Sequence, residues 1–174
     1  MVGCVSGTGR NRGQGCPFAG RVSASGVRRR FVYSGTPFDT DGVLHWIGTG
    51  ERSRAYTNPH GVDGGVVAAM SSIELSSAPP RFLQHVDDNN YNFTKCVPNS
   101  WMSVDLGAAR RLAVDHYCLR HGNNSGANML RNWRLEGSND NTAWVVLKTH
   151  TNDQALAAMA FSTAAWPVTP PTAE

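Results

Sequence analysis

Residues 131 to 153 read RNWRLEGSNDNTAWVVLKTHTND, and this stretch decides the fold class. Trp133, Leu135 and Gly137 fall on one face of an extended segment, with Arg134, Glu136 and Ser138 on the other. Such period-2 alternation suits a half-buried strand. Ser138-Asn139-Asp140-Asn141 follows, a cluster whose side chains bond their own backbone and tolerate tight turns. Trp144 to Thr149 is again strand-like, so the whole predicts a β-hairpin.

Outward from the hairpin, the same pattern of short apolar runs and turn residues repeats. Strands are expected at Phe31–Tyr33, Val43–Ile47, Val66–Ser72, Trp101–Leu106, Leu112–Arg120 and Thr163–Val168. Trp101, Trp133 and Trp144 sit inside strand patterns and are expected in the core. Residues 48 to 65 and 87 to 98 are polar loops, and Asn152 to Phe161 is Ala-rich but too short for a stable helix alone. Eighteen glycines and nine prolines cut the chain into such pieces. The tally of seven or eight short strands predicts an all-β sandwich or jelly roll.

The length of 174 residues fits one domain with a real core, and no run approaches the roughly 18 apolar residues of a membrane span. The formal charge of +3 is unevenly spread: residues 1 to 30 hold six arginines and no acid, so the remainder is mildly acidic and nucleic acid is not an expected partner. Composition reads residues 1 to 30 as a disordered basic Gly/Arg-rich tail without the apolar core of a secretory signal. Cys4, Cys16, Cys96 and Cys118 show no zinc spacing. Cys96 and Cys118 have two open states, a disulfide in a secreted chain or thiols, and thiols are expected.

Three motifs then suggest a family. Ser100-Trp101-Met102-Ser103-Val104-Asp105-Leu106-Gly107, Tyr117-Cys118-Leu119-Arg120-His121-Gly122, and Asn132-Trp133-Arg134-Leu135-Glu136-Gly137-Ser138-Asn139-Asp140 with Trp144 resemble the F5/8 type C (discoidin) domain. With Phe31, Tyr33, Asp39 and Asp41-Gly42-Val43, they are most similar to the intracellular form found in HECT-type ubiquitin ligases and BTB-domain proteins. The resemblance covers residues 31 to 168, leaving 169 to 174 as a Pro-rich tail. It implies a galactose-binding-like jelly roll with binding loops at one end, and a recognition module instead of a catalyst. It also implies two further strands beyond Glu174, and with these absent the isolated chain is expected to be marginally stable.

Motifs for catalysis are missing. There is no His-Glu-x-x-His, no Gly-x-Ser-x-Gly elbow and no phosphate-binding Gly-x-x-x-x-Gly-Lys loop, so neither enzymatic activity nor a cofactor is expected. Asp87-Asp88 reads as a solvated loop pair. Asp39 and Asp41 are the metal candidates, although Asp-Thr-Asp-Gly lacks the full calcium-loop pattern and reads better as a turn. The loop residues Tyr56, His60, Tyr91, Arg120, His121, Asn123, Arg131 and Asn132 form the candidate ligand site, because exposed loops concentrate function. The expected ligand is a protein partner inside the cell. A carbohydrate is the alternative, since aromatic faces stack on sugar C–H patches while Arg and Asn bond hydroxyls.

Overall fold

The computed structural model describes residues 2–7, 14–15, 19–24, 27–36, 38–62, 65–85, 92–122 and 128–169. Four strands precede residue 31: β1 (Val2–Gly7), β2 (Gln14–Gly15), β3 (Ala19–Ala24) and β4 (Val27–Arg30). A short helix α1 (Val43–Gly48), β5 (Val67–Met70) and a 3-10 turn (Pro79–Leu83) follow. The chain then runs through β6 (Ser100–Asp105), β7 (Arg110–Arg120), β8 (Trp133–Ser138), β9 (Val145–His150) and β10 (Thr163–Pro167).

The strands form two sheets, ordered β5-β6-β1-β8-β9 and β10-β7-β3-β4, with β2 also pairing β7. All strand pairs are antiparallel. The all-β sandwich expected from the sequence is therefore the observed class. The hairpin is present as β8 and β9, which pair from Trp133↔His150 to Gly137↔Val145 across an irregularity at Leu135/Glu136. Its turn is built by Asp140, whose Oδ1 accepts the N–H of Thr142 and Ala143, both at 2.8 Å. The N–H groups of Ala143 and Thr142 and the Ser138 hydroxyl hold that carboxyl below its usual range.

Strands β1 to β4 fall within residues 1 to 30. Two strand expectations differ from what is observed. Phe31–Tyr33 is irregular, and Val43–Ile47 is not a strand but lies in α1. There Val43, Leu44, Trp46 and Ile47 are buried, a spacing that matches one helix face as well as a buried strand. Cys96 and Cys118, expected as thiols, are both free, Cys96 exposed and Cys118 buried in β7. Asn92 is fully buried, and its Oδ1 accepts the Ala78 N–H at 2.9 Å.

Between the sheets lies one hydrophobic cluster that includes Val43, Met102, Leu112, Leu135, Leu156 and Trp166. A polar network threads it. The Trp133 indole N–H donates to the Tyr117 hydroxyl at 3.0 Å, and that hydroxyl meets His150 Nε2 at 2.6 Å. His150 Nδ1 lies 2.7 Å from Asp153 Oδ2, which also accepts the Trp166 indole N–H at 2.9 Å. Trp133 stacks on His150 with ring centroids 3.8 Å apart. A neutral imidazole carrying its proton on Nδ1 satisfies every group: it donates to Asp153 and accepts from Tyr117. Burial lowers the His150 pKa against the opposing pull of Asp153, and burial raises the Tyr117 phenol. Burial would raise Asp153 too, but the Ala155 N–H and His150 outweigh it and hold the carboxyl low.

Candidate functional site

At the end of the sandwich where β7 stops and β10 begins, side chains from six separate segments meet. The Asp39 turn comes first. Its Oδ2 accepts the Ser34 hydroxyl at 2.6 Å and its Oδ1 the Asp41 N–H at 2.9 Å, closing a tight loop in which Phe38 has a left-handed φ of 65°. For a bulky residue that backbone is strained by about 1–2 kcal/mol. It presents the Phe38 ring to His85, with centroids 4.4 Å apart and planes within 2°. His85 is fixed from its other side by Nε2, 3.1 Å from the Asp39 carbonyl.

His45, the one partly exposed position within α1, meets His85 edge-on at 4.8 Å and stacks on Tyr56 at 5.2 Å. The Tyr56 hydroxyl donates to the Leu83 carbonyl at the end of the 3-10 turn, and burial raises its pKa. Gly48 allows this approach, because a Cβ there would stand 2.4 Å from the Tyr56 ring and 2.7 Å from the Thr57 carbonyl. Asn58 secures the loop by donating to the Pro80 carbonyl at 2.8 Å. Across the cluster, the buried Arg120 guanidinium lies between Phe38 and Phe161, 4.5 and 4.8 Å from their centroids. Phe161 also has a left-handed φ, 58°. Two strained phenylalanines thus clamp one arginine.

The result is a continuous row, Tyr56–His45–His85–Phe38–Arg120–Phe161. Burial lowers the His45 pKa, with the charges of His85 and Arg52 adding to it against Asp39 and Asp41. Its Nδ1 is buried and has no hydrogen-bond partner among the described residues. A neutral imidazole and half-buried π faces around a buried, fixed guanidinium suit recognition of a peptide's planar groups.

Of the residues singled out from sequence, Tyr56 and Arg120 join this row. His121, next to Arg120, is fully buried. Arg131 and Asn132 lie at the same end but hold the loop after β9: Arg131 donates to the Asp153 and Leu156 carbonyls, and Asn132 accepts the Asn152 N–H at 2.9 Å. His60 Nδ1 accepts the Ala68 N–H at 3.0 Å. Asp39 is taken up by its own turn, and Asp41 pairs with Arg52 at 2.8 Å. No group of three metal-ligating side chains occurs among the described residues. Tyr91, Asn123 and residues 170–174 lie outside those described. Phe38, His45, His85 and Phe161 were not singled out from sequence. The one available signal was His45, a polar residue interrupting the apolar run Val43–Ile47.

A second concavity lies on the outer face of the β5-β6-β1-β8-β9 sheet. Trp101, Ser103, Arg134, Glu136 and Trp144 line a cleft of about 480 Å³ with Asn99 and Asn141 at its margin. Trp101 and Trp144, expected in the core, are only half-buried, while Trp133 is 2% exposed. The alternation of β6 explains this, since Met102 and Val104 take the inward positions and leave Trp101 outside. Arg134 and Glu136 form an ion pair at 3.2 Å on the cleft floor.

With the geometry in place, comparison with known proteins adds a context. The chain is 35% identical over 135 residues to the E3 ubiquitin-protein ligase Ufd4 of Drosophila melanogaster. It is 36% identical over 133 residues to the E3 ubiquitin-protein ligase hecd-1 of Caenorhabditis elegans. It resembles a piece of a ligase. A third relative, the BTB/POZ domain-containing protein At2g30600 of Arabidopsis thaliana, is 30% identical over 141 residues. Each match covers 75% of this chain, but only 5% of either ligase and 16% of the BTB/POZ protein. No protein-family model and no solved structure matches. Among the described residues, no helix is long and apolar enough to cross a membrane.

Proposed function

We propose that this chain is a non-catalytic recognition module of the F5/8 type C kind, centred on residues 31 to 168, that binds a protein partner inside the cell as part of a larger ubiquitin-ligase-type assembly. The observation that carries the reading is the pair of ligase matches, 35% and 36% identical, each over 75% of this chain. The Tyr56-to-Phe161 row is its binding face. It sets half-buried Tyr56, a residue type enriched at interface hot spots, in series with histidine rings and with two phenylalanines that hold a buried arginine. A photo-reactive amino acid in place of His85 is expected to cross-link one specific cellular protein, whereas the same group in place of the exposed edge residue Val67 is not. Equal labelling from both positions, or none from either, overturns the reading.

The sheet-face cleft favours a second reading, a lectin-like carbohydrate-binding module. Half-buried Trp101 and Trp144 flank a guanidinium, a carboxylate and two amides, a set able both to donate to and accept from sugar hydroxyls. Glycan-array binding that disappears in Trp144→Ala and persists in His85→Ala supports it; a silent array removes it.

A further inference from the structure

The first sheet is joined through β1 alone: β6 pairs β1 on one side, β8 pairs it on the other, and β6 and β8 do not pair with each other. Take β1 away and β6 and β8 face each other across about 10 Å, two strand spacings. This central place is filled by Val2-Gly3-Cys4-Val5-Ser6-Gly7. Register assigns its positions to faces. Gly3 stands between Val104 and Gly137, Val5 between Met102 and Leu135, and Gly7 between Ser100 and Trp133. Those six neighbours are all buried, so positions 3, 5 and 7 belong to the core face. Cys4 and Ser6 fall on the other face, in register with Ser103, Glu136, Trp101 and Arg134 of the cleft.

Two of the three core-facing positions are therefore glycine, in the strand that both halves of the sheet depend on. Glycine weakens a strand interior, because it has most backbone freedom to lose and contributes no side chain. The flanking strands contrast with it, placing Met102 and Val104, and Trp133 and Leu135, on the same face. A local sequence at odds with its global position marks a place under some other demand.

We propose that the place between β6 and β8 is a strand-exchange site, held by β1 until an extended segment of a second polypeptide replaces it. The segment that fits is six residues long, antiparallel to both neighbours, free of proline, and bulky and apolar at its three core-facing positions. Backbone hydrogen bonds on both sides supply affinity, and the apolar row supplies selection over β1. Each leucine replacing a glycine on that row favours the incoming strand by about tenfold or more. This site does not rest on the loop-end reading, since a strand bound here is indifferent to His85.

The test uses the full 174-residue chain and a synthetic peptide of residues 2 to 8 carrying Gly3→Leu, Gly7→Leu and Cys4→Ser. Hydrogen exchange is followed with and without it. The expected result is saturable binding, exchange at least tenfold slower in β6 and β8, and faster exchange in Val2–Gly7 as it is displaced. The same peptide with both glycines retained should bind at least tenfold more weakly. Absence of binding, binding that leaves Val2–Gly7 protected, or equal affinity of the two peptides overturns the proposal. As a second measurement, Gly3→Leu with Gly7→Leu within the chain should slow exchange in β6 and β8 and abolish peptide binding. Faster exchange there, or undiminished binding, counts against it.

Discussion

Two histidine–aromatic clusters occupy this sandwich, and they are completed in opposite ways. In the core, His150 stacks on Trp133 and has both ring nitrogens engaged, Nε2 by Tyr117 and Nδ1 by Asp153. At the loop end, His45 stacks on Tyr56, yet its buried Nδ1 has no partner among the described residues. A fully satisfied buried network rigidifies and specifies a core. A buried ring nitrogen lacking a partner is a cost that a structure keeps only where something else benefits. The Asp153–His150–Tyr117 series has the order of a catalytic relay, but Tyr117 is wholly buried and the relay serves to bind the two sheets together. The same residue types thus build a structural centre in one region and a candidate recognition face in the other.

Substitutions can separate the two. Trp133→Ala should have the largest effect, costing about 3–5 kcal/mol through the cavity and the lost stack, enough to unfold a marginal domain; chemical denaturation measures it. Asp153→Ala follows at about 2–3 kcal/mol, because it strips the acceptor from the buried His150 and Trp166 N–H groups. At the loop end the expected order inverts. His85→Ala should cost about 1 kcal/mol of stability while weakening partner binding at least tenfold, read by titration with the cross-linked protein. If His85→Ala destabilises as strongly as Asp153→Ala, the contrast between the clusters collapses.

The smallest predicted effect is a pH dependence. His45 and His150 both have folded-state pKa values below the ordinary 6.5, chiefly through burial. The unfolded chain therefore binds more protons below about pH 6.5, and stability should decline as pH falls from there towards the folded pKa values. For each histidine the slope is at most about 1.4 kcal/mol per pH unit. Denaturation midpoints between pH 7 and 5 reveal it, and His45→Gln should flatten the curve while leaving the core network intact. An unchanged curve in that variant would show that the loop-end histidine contributes nothing.

Much of the fold was legible because its signals are local. The alternation of Trp133, Leu135 and Gly137 and the Asp140 turn lie within a dozen residues, and they form the hairpin as read. Short apolar runs are different. Val43 to Ile47 satisfies both a buried strand and a helix face, and only tertiary packing decides between them. Trp101 was misjudged by size, although its own strand's alternation with Met102 and Val104 already pointed it outward. Of the candidate row, Tyr56 could be read from its loop position and Arg120 from closing a strand. Phe38, His45, His85 and Phe161 could not, because their meaning comes from a row assembled across more than a hundred residues of chain.

Gly48 gives the loop end a single point of adjustment. With 2.4 Å from its virtual Cβ to the Tyr56 ring, even one added methyl must drive that ring away, and His45, His85 and Phe38 are stacked in series behind it. The spacing of the whole row is thus calibrated by an atom that is missing. If the row is the binding face proposed above, a change of partner would find its shortest mutational route there, in a residue outside the row itself.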